Sequence, residues 1–348
     1  MLVAVRKSDG VRVEGRDAER GPEYACPDPR CGRLIYLKKP LLRVHHFAHG
    51  PGAKCVTSNR ETPEHIRGKD FLLMGTRSRG LKAEVEVPLE ILDSEEDRRA
   101  DVLVWSPKGH KQIAFELQHT VVQLKDIIRR TRGYIVGKFP VVWINLIKPR
   151  RIADSYSVSG TNLKIVSKYT THAWERWAHD FGDEGGTFTK ITRGHLWFLD
   201  PRDGQMWRGW MWGHYLYREG NDYYDASGDQ HSHASYWYPS ERYRTLILEG
   251  PFKVADLRIK PHERYERKRG AFQYPFGPAA WLLAPTDDND GPRRPLLRMH
   301  QETLANGVEL QPRLQICCDG VWINVERRSK RLDDSDNQLS FSASEMPT

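Results

Sequence analysis

From Thr62 onward the apolar positions fall into a readable order. Thr62-Pro63 has the chemistry of a helix cap followed by proline at the first helical position. Ile66, Leu72 and Leu73 give the predicted helix a partly apolar face, which stops by Gly80. Lys82 to Leu89 then alternates, assigning Val85, Val87 and Leu89 to one face of a strand and Glu84 and Glu86 to the other. A polar turn, Asp93 to Asp97, leads to a second strand, Ala100 to Trp105. A turn at 107–110 leads to a third, Ile113 to Gln118. Such short turns predict an antiparallel meander. Thr120 and Gln123 have capping-box spacing ahead of a helix that carries Val121, Leu124, Ile127, Ile128 and Ile135 and ends near Gly137. Val141 to Ile147 is a continuous apolar run, as in a buried strand, and the strand–helix–strand crossover makes it parallel to its predecessor. The predicted order is α-β-β-β-α-β around a mixed sheet.

On either side the pattern changes. Residues 21–60 are rich in Cys, His, Pro and Gly, and eight of the eleven tryptophans fall between 170 and 285. His195 to Trp207 reads as strand, turn and strand, and Tyr243 to Leu248 as another strand. The stretch from about Ser329 is Ser/Asp-rich and predicted to be disordered. The expected organisation is α+β and multidomain. It comprises a strand and Cys/His module at 1–60, a mixed-sheet core at 61–150, an aromatic-rich β or α+β domain at 151–328, and a tail at 329–348. Tryptophans interleaved with Arg can stack on unpaired bases, although such residues more often build a core. Cys317-Cys318, between two apolar runs, fits a buried strand. His214, His231 and His233 have no ligand-like carboxylate spacing.

Composition adds boundary conditions. Met1 to Gly10 alternates apolar and charged residues without the apolar core of a signal peptide, and no run approaches the ~18 apolar residues of a membrane span. A cytoplasmic protein without a membrane partner is expected. The net charge of +8 is a modest pointer to an anionic partner. Five cysteines, an odd number, argue against a disulfide framework and for a metal site.

The chemistry concentrates in the predicted meander. Strand parity puts Glu116 and Gln118 on one face of the third strand, opposite Ile113, Phe115 and Leu117, and Asp101 on the neighbouring strand can face the same way. Two carboxylates at such a corner suit Mg²⁺ or Mn²⁺, with Asp101 and Glu116 as the ligands. This arrangement resembles that of a metal-dependent nuclease of the PD-(D/E)XK type. Where such sites usually carry Lys, this chain has Gln118, which can position water but carries no charge; Lys69 is a candidate substitute. Glu64, at the start of the first helix, is a further ligand or water-positioning candidate. His65 and Lys69, one turn apart, and Arg129 and Tyr134 on the second helix are candidates for contact with substrate. The alternative is an ordinary sheet with Asp101 ion-paired to Arg98 or Arg99.

Cys26-x4-Cys31, His46 and His49-x5-Cys55 supply three thiols and two imidazoles within about 30 residues. Zn²⁺ takes four N/S ligands, and Cys26, Cys31, His49 and Cys55 form the preferred set, with His46 the competing imidazole. A metal would supply the stability so short a segment lacks. Arg30, Arg33, Lys38, Lys39 and Arg43 can grip DNA or merely form a solvated face.

In combination these motifs resemble the competence protein CoiA family. They are His46-Phe-Ala-His49, Thr62-Pro-Glu-His-Ile-Arg-Gly-Lys69, Arg98-Arg-Ala-Asp-Val-Leu103, Phe115-Glu-Leu-Gln-His-Thr120 and an Arg-Thr-Arg-Gly-Tyr run ending at Tyr134. The resemblance covers about residues 20–147. It implies a PD-(D/E)XK nuclease-like domain behind a small Cys/His module, acting on DNA during recombination together with recombination proteins, with Glu64, Asp101, Glu116 and Gln118 in the active site. Three functions follow: a divalent-metal-dependent DNA nuclease, a non-catalytic DNA-binding recombination accessory protein, or a nuclease of defence or of a mobile element.

Overall fold

The computed structural model describes residues 1–53, 55, 61–89, 98–106, 109, 111–181, 194–264, 267–269, 272–274, 276–287, 296–300, 313–318 and 321–324. The expected turn at Asp93–Asp97, most of the turn at 107–110 and the expected tail at 329–348 lie outside these residues.

The N-terminal module is a five-stranded sheet of β1 (Val3–Arg6), β2 (Arg12–Glu14), β3 (Tyr24–Ala25), β4 (Leu34–Lys38) and β5 (His46–His49), in the order β2-β1-β3-β4-β5. Its own core is small: Met1, Ala4, Ala18, Tyr24, Ile35 and Phe47 with Cys26 and Cys55.

Helix α1 (Pro63–Arg77) begins where the cap chemistry predicts, with the Thr62 hydroxyl accepting the His65 N–H. Its inward face carries Ile66, Leu72 and Leu73, each worth ~1.5–3 kcal/mol when fully buried. Gly68 brings it close to the sheet: a Cβ there would stand 2.6 Å from Leu117 Cδ2 and 2.9 Å from Leu146 Cδ2. The predicted meander follows as β6 (Ala83–Leu89), β7 (Arg98–Trp105) and β8 (Gln112–Gln118), all antiparallel, then α2 (Leu124–Val136) and β9 (Val141–Leu146), parallel to β8. The capping box does not form. Gln123 occupies the α2 cap position without a side-chain bond, and the Thr120 carbonyl and hydroxyl instead accept the Gln118 amide, at 2.7 and 3.3 Å.

The sheet does not end at residue 150, where the change in composition suggested a boundary. It continues through β10 (Tyr156–Ser157), β11 (Leu163–Thr170), helix α3 (Ala173–Phe181), β12 (Leu196–Leu199) and β13 (Gln205–Arg218). A small hairpin of β14 (Asn221–Tyr224) and β15 (Gln230–His233) leads into β16 (Tyr236–Lys253). The result is nine strands in the order β10-β11-β16-β13-β12-β9-β8-β7-β6, with β12 parallel to β9. Helix α1 and the N-terminal Leu2 and Val3 cover one face; α2 and α3 cover the other, where Trp174, Trp177 and Trp207 are core residues. Residues Met1–Arg294 form one compact unit. In the second unit, Pro295–Thr348, Leu296–His300, Arg313–Cys318 and Val321–Asn324 form a three-stranded antiparallel sheet, so Cys317-Cys318 does end a strand. No helix among the described residues is long and apolar enough to cross a membrane.

Candidate active site and Cys/His cluster

Three carboxylates share one rung of the sheet. Val85 pairs with Val102 and Val87 with Ala100 across β6 and β7, while Val102 pairs with Phe115 across β7 and β8. Continuing these registers sets Asp101 between Glu86 on one side and Glu116 on the other. At this rung the strands turn over. Val85 and Val102 face the α1 side, whereas Val87, Leu89 and Ala100 pack on the α2–α3 side. The expected placement of Val85, Val87 and Leu89 on a single face therefore fails. The cause is backbone: Glu86 has φ +55°, a left-handed conformation that shifts strand parity and costs about 1–3 kcal/mol in a non-glycine residue. Beside it, the Leu117 N–H donates to Asp101 Oδ2 at 2.9 Å.

Each carboxylate has its own cation. Glu61, His65 and Lys69 follow at four-residue spacing along α1 and its lead-in, so they line one side of the helix. The His65 ring donates through Nδ1 to Glu61 Oε1 at 2.7 Å, and through Nε2 to Asp101 Oδ2 at 3.2 Å and the Leu117 carbonyl at 3.1 Å. Lys69 is fully buried and pairs with both Glu61 and Glu86. Glu86 also accepts the Leu2 N–H at 2.9 Å, and the Met1 amino group lies 3.0 Å from Glu61. On the opposite side of the sheet, Arg130 and Tyr134 of α2 bond the two oxygens of Glu116.

Burial opposes ionisation of every member, and the partners decide the outcome. Burial disfavours charge on His65, but the Asp101 and Glu61 carboxylates lift its pKa to about 10. Burial likewise works against the Asp101 anion, which His65 nevertheless holds below the usual carboxylate range. Glu61 and Glu86 are held down against burial mainly by Lys69. Glu116 is the exception. Burial pushes it up to about 7, with the charge of Asp101 adding to the rise and Arg130 opposing it. The rung thus holds two carboxylates kept ionised, Asp101 and Glu86, beside one that titrates near neutrality.

Of the residues singled out from sequence, Asp101, Glu116, His65 and Tyr134 come together here, and Gln118 stands two residues along β8 with its amide turned to Thr120. Lys69 lies beneath His65 among carboxylates and does not reach solvent to meet a substrate. Tyr134 is buried against Glu116 rather than presented to a substrate. Glu64 is next to His65 in α1 and points about 100° around the helix from it, within electrostatic reach of His119. Arg129 is half-exposed, 3.7 Å from Asp126 one turn earlier; its neighbour Arg130 makes the contact with Glu116. Glu61, Glu86 and Arg130 were not singled out. A signal existed for the first: Lys69 falls within the inward stripe Ile66–Leu73, so it had to be buried with a carboxylate, and Glu61 continues the four-residue spacing. The edge beyond Gln118 is cationic: Arg151 and Arg150 crowd the ammonium of Lys148 and, with burial, lower its pKa.

A second cluster sits in the N-terminal module. The donor atoms of Cys26, Cys31, His49 and Cys55 all lie within 4.8 Å of one another. Cys26 Sγ is 3.9 Å from Cys55 Sγ, and Cys31 Sγ is 3.4 Å from His49 Nε2. The Cys-x4-Cys segment closes through a turn, with Cys26 N–H donating to the Arg33 carbonyl and Cys31 N–H to that of Asp28. His46 stays outside the set. It is three residues from His49, so strand parity points it to the other face, where its Nδ1 is 2.9 Å from the Val44 carbonyl. Glu61, His65 and Asp101 form the other group of donor atoms within 4.8 Å.

No curated protein and no solved structure matches the chain. A family model does match over residues 61–181, from the lead-in of α1 through the end of α3, and its description is competence protein CoiA, nuclease-like domain. With the α-β-β-β-α-β order and the carboxylate rung inside that span, this part of the chain is similar to the CoiA nuclease-like domain.

Proposed function

We propose that the chain is a divalent-metal-dependent nuclease that hydrolyses phosphodiester bonds in DNA, with its centre at the Asp101 rung and a zinc-stabilised N-terminal module. The observation that carries this reading is the convergence of Asp101 Oδ2 and the Leu117 carbonyl on His65 Nε2, at 3.2 and 3.1 Å, beside Glu116. The carboxylates of Asp101 and Glu116 are hard oxygen donors of the kind Mg²⁺ or Mn²⁺ takes. His65, protonated and held through Nδ1 by Glu61, positions Asp101 for the ion rather than ligating it. Such an ion supplies polarisation of the phosphodiester and a water of lowered pKa. The protein's own residues do the rest. Lys69 balances Glu61 and Glu86 and keeps them in place. Arg130 and Tyr134 orient Glu116, whose proton sits near the neutral boundary and can be taken up or released during hydrolysis. Lys148, whose pKa is lowered by burial first and then by Arg151 and Arg150, stands at the edge where a phosphate backbone would pass. Three thiols and an imidazole suit Zn²⁺ at the second cluster.

The test is cleavage of single-stranded, duplex and branched DNA with Mg²⁺ or Mn²⁺. Asp101→Ala and Glu116→Ala should each lower the rate by about a thousandfold, since metal assistance is worth several kcal/mol. One observation favours a second reading, a non-catalytic DNA-binding protein of recombination: the Gln118 amide is committed to Thr120 and no lysine stands in its place. Wild-type protein that binds DNA and never cuts it would decide for that reading.

A further inference from the structure

The connection between β4 and β5 presents apolar side chains to solvent at the end of a hairpin whose base is the Cys/His cluster. Cys31 precedes β4 and His49 ends β5, with His49 paired to Ile35. At the far end of the hairpin Leu41 is 102% and Leu42 91% exposed, while Val44, in the same connection, packs on the core under α1. The outward face of β4 continues the exposed strip: Leu34 is 45% and Tyr36 62% exposed, whereas Ile35 between them is buried. Scattered exposed leucines need no explanation. Two adjacent ones at a hairpin tip, at the end of a strand whose outward face carries an exposed tyrosine, do.

The segment that carries the strip has charge of one sign. From Pro29 to Arg60 the chain carries Arg30, Arg33, Lys38, Lys39, Arg43, Lys54 and Arg60 and no Asp or Glu. An apolar and aromatic strip interleaved with cations is complementary to a strand whose bases are unpaired: base faces meet the apolar groups and phosphates meet the ammonium and guanidinium groups. The hairpin is also joined to the carboxylate rung. The Phe47 N–H donates to the Met1 carbonyl at 2.9 Å, and the next residue, Leu2, donates to Glu86.

We infer that the β4–β5 hairpin is a single-stranded nucleic-acid contact, in which Leu41, Leu42 and Tyr36 seat against unpaired bases while Lys38, Lys39 and Arg43 hold the adjacent phosphates. This deepens the nuclease reading and is measured apart from it. The probe is a fluorescent DNA of about 20 nucleotides, a length that spans one to several such sites, used single-stranded or as a blunt duplex. The full chain carries Asp101→Asn and no Mg²⁺ or Mn²⁺ is added, so binding is read without cleavage. The single strand should bind more tightly than the duplex. Leu41→Ser with Leu42→Ser should weaken single-strand binding about tenfold and leave its salt dependence unchanged. Lys38→Gln with Lys39→Gln should instead lower the slope of log K against log salt by about 0.7 for each phosphate that is no longer neutralised. Both leucines are outside the core, so thermal unfolding and zinc content should match the parent. Wild-type affinity in the leucine variant would overturn the inference. So would absence of oligonucleotide binding together with leucine-dependent binding to phosphatidylglycerol vesicles, which would make the tip a membrane contact. A wild-type chain that fails to cleave with either ion removes the nuclease reading and leaves this binding result standing.

Discussion

In the N-terminal module the donor atoms stand on turns and strand ends around a core of a few side chains; on the nuclease-like sheet they stand on one rung of a nine-stranded ladder. Cys26, Cys31, His49 and Cys55 come from segments with little else to hold them. Asp101, Glu86 and Glu116 are each met by a cation of the protein, from His65, Lys69 and Arg130. The second cluster is assembled by its own counter-charges. A soft-ligand site in a small module borrows its stability from the ion, whereas a carboxylate site in a deep sheet must be neutralised from within, because unpaired buried charge is costly.

The largest expected effect comes from breaking the first cluster. Cys31→Ser or Cys55→Ser should reduce bound zinc from one ion per chain to none and unfold the module, since structural zinc contributes ~10 kcal/mol of folding free energy in small modules. Metal analysis with limited proteolysis reads this out, and cuts should appear before residue 61 while the sheet resists. If the variant lost zinc and the module stayed protected, the contrast between the two clusters would collapse. Next comes Lys69→Met, which strands Glu61 and Glu86 in the interior. A loss of about 3–5 kcal/mol is expected in denaturant unfolding, and zinc content should be unaffected.

Acid–base behaviour sharpens the comparison on the sheet side. In chain without added Mg²⁺ or Mn²⁺, Glu116 has a folded pKa of about 7, raised by burial above its ordinary 4.5. Its contribution is therefore fully present below about pH 4.5 and is lost as pH rises through 7. His65 is lifted from 6.5 to about 10 by Asp101 and Glu61 despite burial. Its contribution is complete below about pH 6.5 and is lost as pH rises through 10. Relative to wild type, Glu116→Gln should flatten the decline of melting temperature between pH 4.5 and 7, and His65→Gln the decline between 6.5 and 10. Identical profiles for both variants would mean that the rung does not hold these protons. The smallest effect is Thr62→Ala, which removes the cap bond to the His65 N–H and should lower stability by about 1 kcal/mol. A greater loss of DNA cleavage than of stability would show that the cap also orients His65.

The helix capped at Thr62, the antiparallel meander and the parallel return at Val141 were all legible in the chain. Each rests on a local regularity: a cap dipeptide, alternation of period two, a run too apolar to be exposed. The Cys₃His set was legible from spacing as the preferred one, while the choice of His49 over His46 was left open and is decided by strand parity in β5. The alternation of β6 misled from Glu86 onward, since a single left-handed residue reverses every later side chain and nothing in Glu-Val-Glu-Val announces it. The boundary at 150 misled because composition reports what a segment is made of, whereas sheet membership depends on hydrogen bonds to strands far along the chain, such as Ile144 of β9 beside Trp197 of β12 and Leu163 of β11 beside Glu249 of β16. The pairing of Lys69 with Glu86 and of Arg130 with Glu116, and the outward turn of Leu41 and Leu42 beside an inward Val44, were likewise decided by packing. Local pattern specifies which residues are donors and which segments are strands. Which charge neutralises which, and which apolar side chain is left outside, follows only once α1 and α2 close on opposite faces of the sheet.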